Sequence, residues 1–172
     1  LIAVAFSLYV KPIMVIYRPL DNPILDELVK YVRSSTGNIP LASAHAMRPM
    51  IRHLKKNDMI GLLVDQNVAW QEGVFVDYFG RPACTTDGLA LLAMHTEAAV
   101  LPSYLVRKEN GRYRLVFEEE LQLVRTGDRN SDAKINTQMI TKKIEDVVRR
   151  YPDQWLWIHQ RWKTKACQAR WQ

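Results

Sequence analysis

A chain of 172 residues, 48% hydrophobic and 24% charged, has the length of one domain and the apolar material for a core, which excludes a disordered segment or a small disulfide scaffold. Its two cysteines, Cys84 and Cys167, lack any CxxC spacing, which argues against a zinc site and for a reducing compartment. The net charge of +6, with a pI near 9.4, favours anionic partners: phospholipid surfaces, phosphorylated glycolipids, nucleic acid or acidic carrier proteins.

Leu1 to Tyr9 reads as the end of a buried helix stopped by Lys11-Pro12, and Leu1 to Val10 has neither the length of a membrane span nor the basic region and cleavage site of a signal peptide. The chain opens on Leu1 inside this apolar run, so residues 1–172 read as a single domain whose N-terminal part is absent. Ile13 to Tyr17 is short, apolar and β-branched, as a strand should be, and ends on Arg18-Pro19. Asp21-Asn22-Pro23 then signals a helix start, with Ile24, Leu25, Leu28, Val29 and Val32 as its inward stripe and Gly37 as its close. Ile39-Pro40-Leu41 connects to a second helix capped by Ser43, with Met47, Met50, Ile51 and Leu54 inward and Arg48, Arg52, Lys55 and Lys56 outward.

Met59 to Val64 is an apolar run ending on Asp65-Gln66, and Gly73 to Phe79 is a second one. Gly80-Arg81-Pro82 reads as a break, after which Thr85 or Thr86 caps a helix with Leu89, Leu92 and Ala93 inward. Ala98 to Val106 and Tyr113 to Phe117 flank Asn110-Gly111, a hairpin signal. Ser131 or Asp132 opens a long helix with Ile135, Met139, Ile140, Ile144, Val147 and Val148 inward, stopped at Tyr151-Pro152. The tail DQWLWIHQRWKTK mixes Trp155, Trp157 and Trp162 with Arg161, Lys163 and Lys165, which suits either a membrane interface or a helix with core tryptophans. The alternation predicts an α/β fold: a mostly parallel central sheet flanked by helices, with a hairpin at one edge.

Polar groups at the C-terminal ends of such strands are where open α/β folds place ligands. Arg18, just past one strand, can aim a guanidinium at an anion or simply pair with Asp21 or Asp26. Asp65 and Gln66, just past another, can orient a hydroxyl or shape a turn. The amides behind Thr85 and Thr86 can cap a helix or receive an anion. Among the four histidines, His45, His53, His95 and His159, only His53 has a His-x4-acid spacing, to Asp58, and a five-residue offset does not place two side chains on one helical face. Walker, GxGxxG, GxSxG and metal-ligand patterns do not occur, which removes most nucleotide, serine-hydrolase and metal chemistry.

Five blocks in order, VIYRPLDNPILDELV, GLLVDQN, GVFVDYFGRPACTTDGLALLA, LPSYLVR and QWLWIHQRWKTK, resemble the late acyltransferases of lipid A biosynthesis, within the glycerolipid acyltransferase superfamily. The resemblance runs from about Met14 to Lys165. It implies a glycerol-3-phosphate-acyltransferase-like fold and an enzyme at the cytoplasmic face of the inner membrane of Gram-negative bacteria, held peripherally or by one N-terminal anchor. Such an enzyme moves an acyl group from acyl carrier protein, or coenzyme A, to a hydroxyl of a lipid A precursor, with no cofactor or metal. Its partners would be that donor, the lipid A precursor and the anionic membrane surface, not nucleic acid. The family's base is a His-x4-Glu/Asp motif, expected just upstream of Leu1, so no catalytic residue is expected in this chain, which alone should be inert. The resemblance implies substrate-binding roles for Arg18, Asp65, Gln66, Thr85, Thr86, Arg161 and Lys163, with Gly80 and Pro82 shaping the pocket. The alternatives are a membrane-surface binding protein on a degenerate acyltransferase scaffold, or an acyltransferase acting on another glycolipid such as a mannosylated phosphoinositide.

Overall fold

A computed structural model describes residues 1–44 and 46–166, so that His45 and Cys167 lie outside the described residues. The chain divides into two compact units, residues 1–63 and 64–172. Together their elements make the mixed α/β architecture expected from the sequence.

The first unit contains α1 (Ile2–Tyr9), β1 (Met14–Tyr17), α2 (Pro23–Ser34), β2 (Ile39–Ala42), α3 (Met47–Leu54) and β3 (Ile60–Gly61). Its strands form a parallel sheet in the order β2-β1-β3, with Met14 opposite both Ile39 and Ile60. Each parallel connection is carried by a helix, as such pairing requires. The apolar run before Asp65 contributes only the two residues of β3 to the sheet, so Asp65 and Gln66 stand in irregular chain rather than directly at a strand end. Buried Asn38 ties the unit's start together: its Oδ1 accepts from the Ile13 amide at 3.0 Å and its Nδ2 donates to Ala3 O at 2.9 Å. Contrary to the expectation of a buried segment, α1 contains no buried residue.

α2 begins as its sequence dictates, with Asn22 Oδ1 accepting from the amides of Ile24 and Leu25 and Pro23 in the first turn. Its expected inward stripe is turned outward: Ile24 is 78% exposed, and Leu25, Leu28 and Val32 are exposed with it. The helix is held by its polar side instead. Buried Asp26 accepts from the Leu20 amide at 3.0 Å and pairs with Lys30 at 3.0 Å, and these bonds hold its carboxyl below the usual range. α3 starts three residues later than Ser43 would place it, behind Ala46 and with no side-chain cap.

The second unit contains β4 (Val74–Tyr78), β5 (Arg81–Thr85), α4 (Gly88–Thr96), β6 (Ser103–Arg107), β7 (Tyr113–Phe117) and α5 (Arg129–Arg150), with single 3-10 turns at Trp70–Glu72, Pro152–Gln154 and Trp157–His159. The β6–β7 hairpin is the one expected at Asn110-Gly111, with Gly111 at φ 74°. β4–β5 is a second hairpin where a break was expected, closed by Phe79 and Gly80, both at positive φ, a two-residue turn of the primed kind. α4 follows Asp87, so neither Thr85 nor Thr86 is its N-cap residue, although Thr86 Oγ1 accepts from the Gly88 amide at 3.2 Å.

The cap of α5 is Asp128, which precedes the expected Ser131 or Asp132; its Oδ1 accepts from Asn130 and Ser131. Ile140 packs with Ala90 and Leu121 in the core, while Ile135 is exposed. The face that α5 buries is partly polar because it terminates backbone that has no sheet partner. Gln138 exchanges two hydrogen bonds with the Asp77 backbone of β4, and Asn136 does the same for Val124. Glu145 takes the Phe79 amide, and Asp132 takes those of Thr126 and Gly127. Buried backbone must be paired, and an apolar stripe would leave these groups orphaned.

Candidate functional site

The sequence elements with the richest chemistry in the second unit, the Asp65-Gln66-Asn67 segment and the tryptophan-rich tail, meet in space. The tail is neither a core helix nor a free amphipathic segment, but two 3-10 turns folded against residues 65–68 and β5. Trp155 Nε1 donates to Asp65 Oδ2 at 3.2 Å, and His159 Nε2 lies 3.3 Å from Asp65 O. Asn67 Nδ2 donates to Thr164 Oγ1 at 3.0 Å and Asn67 Oδ1 accepts from the Thr164 amide at 3.1 Å, while Thr164 Oγ1 donates to Val68 O. Trp155 thus holds the Asp65 carboxylate and His159 meets its carbonyl, while the Asn67–Thr164 pair and the Thr164–Val68 bond fix the chain that follows. Sequence reasoning gave no role to Asn67 or Thr164, although they lie inside the blocks GLLVDQN and QWLWIHQRWKTK.

Arg161 is 2% exposed. It donates from Nη1 to Cys84 O at 2.9 Å and from Nη2 to Thr85 Oγ1, and its guanidinium lies 5.2 Å from the centre of the Tyr78 ring. Burial is the main influence on its proton affinity and pulls it down, with Tyr78 and Asp65 opposing. Arg161 Nε and the Tyr78 hydroxyl are buried without a hydrogen-bond partner among the described residues. Burial pushes the Tyr78 phenol and the Cys84 thiol up. Thr85 and Arg161 are thus engaged with each other inside the unit, a clamp between the tail and β5, rather than standing at an open rim.

Lys163 and Gln66 are exposed. Lys163 borders a depression of about 320 Å³ with Asn67, Ile158, His159 and Gln160. Trp157 and Ile158 are exposed beside it, whereas Trp155 and Trp162 pack around Tyr78 at ring separations of 5.7 Å. Trp155 and Trp162 are therefore packed tryptophans, as one expectation had it, but on 3-10 turns rather than on a helix.

In the first unit, Arg18 is exposed at the end of β1. Asp26, considered as its partner, is taken by Leu20 and Lys30, which leaves the Arg18 guanidinium without an acidic partner among the described residues. His53 and Asp58 do approach, at 4.0 Å between Nδ1 and Oδ2. The helix-face argument fails here because α3 ends at Leu54 and Asn57, at φ 58°, turns the chain back. Asp58 nevertheless belongs first to Lys11, 2.9 Å away, which holds the carboxyl below its usual range. No helix among the described residues is long and apolar enough to cross a membrane, and no group of three metal-ligating side chains occurs among them.

The chain belongs to the bacterial lipid A biosynthesis acyltransferase family, whose model matches residues 1–164. Similar proteins include a lipid A biosynthesis acyltransferase of Haemophilus influenzae, 28% identical over 90% of this chain and 47% of the relative. The lipid A biosynthesis lauroyltransferase of Escherichia coli is 29% identical over 87% of this chain and 48% of its own length. The palmitoleoyltransferase of the same organism is 30% identical over 90% and 49%. The chain spans about half the length of the curated relatives it matches.

Proposed function

We propose that this chain is the substrate-holding part of an enzyme that transfers a fatty acyl group from an acyl carrier protein thioester, or coenzyme A, to a hydroxyl of a lipid A precursor at the cytoplasmic face of the inner membrane. The family match over residues 1–164 is the observation that supports this most strongly. In the reaction the acceptor oxygen attacks the thioester carbon, the C–O bond forms and the C–S bond breaks. A general base takes the hydroxyl proton, which ends on the departing thiolate. In this reading the base is a His-x4-Glu/Asp pair encoded upstream of Leu1. Arg18 and Lys163 supply cations for the anionic groups of donor and acceptor, and Asp65, Gln66 and Thr86 orient polar substrate groups. Thr85 and Arg161 act from within, keeping the 65–68 segment in place.

The test uses the full-length protein with a carrier-protein thioester and a lipid A precursor. Transfer is expected, and Arg18→Ala should reduce it by about tenfold or more, the scale of one lost charge-assisted contact to an anion. Absence of transfer by the unsubstituted protein overturns the reading. Transfer unaffected by Arg18→Ala removes Arg18 from the site.

A further inference from the structure

We propose that the outer face of α3 is a docking surface for an acidic protein; resting on the functional reading above, that partner is the carrier that brings the thioester. Arg48, Arg52, Lys55 and Lys56 are all exposed. Their spacing of four, seven and eight residues from Arg48 is that of one helical stripe. The stripe runs past the end of α3 because Lys55 keeps right-handed helical backbone. Behind it Met50 is buried and Ile51 and Leu54 are half-buried, so these cations stand on an anchored element.

What distinguishes this stripe from an ordinary solvated face is its lack of internal neutralisation. Residues 1–63 contain eight Lys and Arg against four Asp and Glu. Half of those cations lie on the stripe. Asp26 and Glu27 are bound by Lys30, and Asp58 by Lys11. Arg48, Arg52 and Lys55 have no acidic partner among the described residues, and Lys56 contributes only a secondary field at Asp58. A bilayer would be met through apolar side chains lying below the headgroups. The stripe itself offers none: the one exposed apolar side chain of α3, Met47, lies off it, on the helix side of Ile51 and Leu54. A purely cationic face about one helix long fits the acidic face of a protein. Such charges act mainly on encounter and are screened by salt.

The experiment replaces Arg48, Arg52 and Lys55 together by Glu in the full-length protein, with Arg107→Glu/Arg112→Glu/Arg114→Glu in the β6–β7 hairpin, three exposed cations, as a control of equal charge change. Transfer is measured from a carrier-protein thioester and from a pantetheine thioester bearing the same acyl chain. The α3 variant should raise KM for the carrier-protein donor about tenfold at low salt, an effect that fades near 0.5 M salt, with kcat and the pantetheine reaction within about twofold. An unchanged KM for the carrier donor, an equal rise with both donors, or an equal rise in the control overturns the docking surface while leaving acyl transfer standing. If the unsubstituted protein transfers from neither donor, it is the functional reading that fails. Fluorescence anisotropy with labelled carrier protein then decides docking alone: binding lost in the α3 variant supports it, and no binding by the unsubstituted protein overturns it. Stripe-dependent binding to anionic vesicles in place of the acidic protein also overturns it.

Discussion

The Trp155 indole donates to the Asp65 carboxylate across 90 residues of chain, at 3.2 Å, and this bond joins the tail to the segment that carries the candidate site. The indole also stacks edge-on with Trp157 and with His159 at ring separations of 4.7 and 4.6 Å. Trp155→Phe keeps much of that packing and removes the donor. A loss of about 1 kcal/mol is expected from the hydrogen bond. In urea denaturation, a double-mutant cycle with Asp65→Ala should show a coupling of about 0.5–1 kcal/mol; strictly additive losses would mean that the contact contributes nothing.

Thr85→Val is nearly isosteric and leaves the buried Arg161 guanidinium without its hydroxyl acceptor. Leaving a buried donor unpaired costs about 1–3 kcal/mol. Arg161→Lys should not be neutral either, because an ammonium cannot reproduce the planar fork that reaches both Cys84 O and Thr85 Oγ1. Both variants should lower the thermal midpoint, and a Thr85→Ser variant, which keeps the hydroxyl, should recover most of the loss.

Local signals carried far in this sequence, and tertiary ones did not. Asn22-Pro23, Asn110-Gly111 and Tyr151-Pro152 mark boundaries by backbone chemistry alone, and each boundary is where that chemistry places it. The β4–β5 hairpin was invisible because its turn puts Phe79, a residue disfavoured at positive φ, in the left-handed region. What holds Phe79 there comes from far along the chain: Glu145, 66 residues on, takes its amide at 2.8 Å, and Arg149 covers its ring at 4.5 Å. The exposed stripe of α2 and the polar buried face of α5 failed for a related reason. Helical periodicity finds a helix's two faces but does not say which one meets unpaired backbone. At the site, the blocks themselves were legible, while the Asn67–Thr164 and Thr85–Arg161 pairings depend on a chain reversal that no local pattern announces.

Glu145 gives the fold an acid-sensitive joint. Its side chain is only 5% exposed, and burial alone would push its pKa up. The Phe79 amide, Lys142 and Arg149 more than reverse this and hold it at about 2, below the ordinary 4.5. Because the folded value is depressed, the carboxylate's stabilisation is fully present above pH 4.5 and is lost as pH falls from there toward 2. The loss is on the order of a few kcal/mol, since each unit is worth about 1.4 kcal/mol. Glu145→Gln should lower stability at pH 7 and flatten its decline between pH 4.5 and 2, measured by urea denaturation across that range. An unaltered pH profile would show that Glu145 is not the group responsible.

Gly73 is the position where a single carbon atom should do most damage. A Cβ there would stand 2.3 Å from Thr85 O and 2.7 Å from both Thr85 C and Val68 Cγ2. The first two are backbone, which cannot rotate away, and Val74 pairs with Thr85 in the hairpin register. Gly73→Ala must therefore separate β4 from β5 at that point, shift Thr85 away from Arg161, and disturb the Val68 end of the Asp65 segment. A destabilisation of roughly 2–3 kcal/mol or more is expected, the range of severe overpacking. Gly111→Ala is the control: Gly111 is at φ 74° but a Cβ meets nothing within 4 Å, so only the left-handed backbone penalty of about 1–2 kcal/mol applies. Comparing urea midpoints separates the two effects, and a Gly73→Ala loss no larger than that of Gly111→Ala would mean the hairpin yields without strain. If it does not yield, the same variant in the full-length protein should lose acyl transfer as well, because the new methyl group displaces Thr85, whose hydroxyl receives Arg161 and so ties the tail to β5.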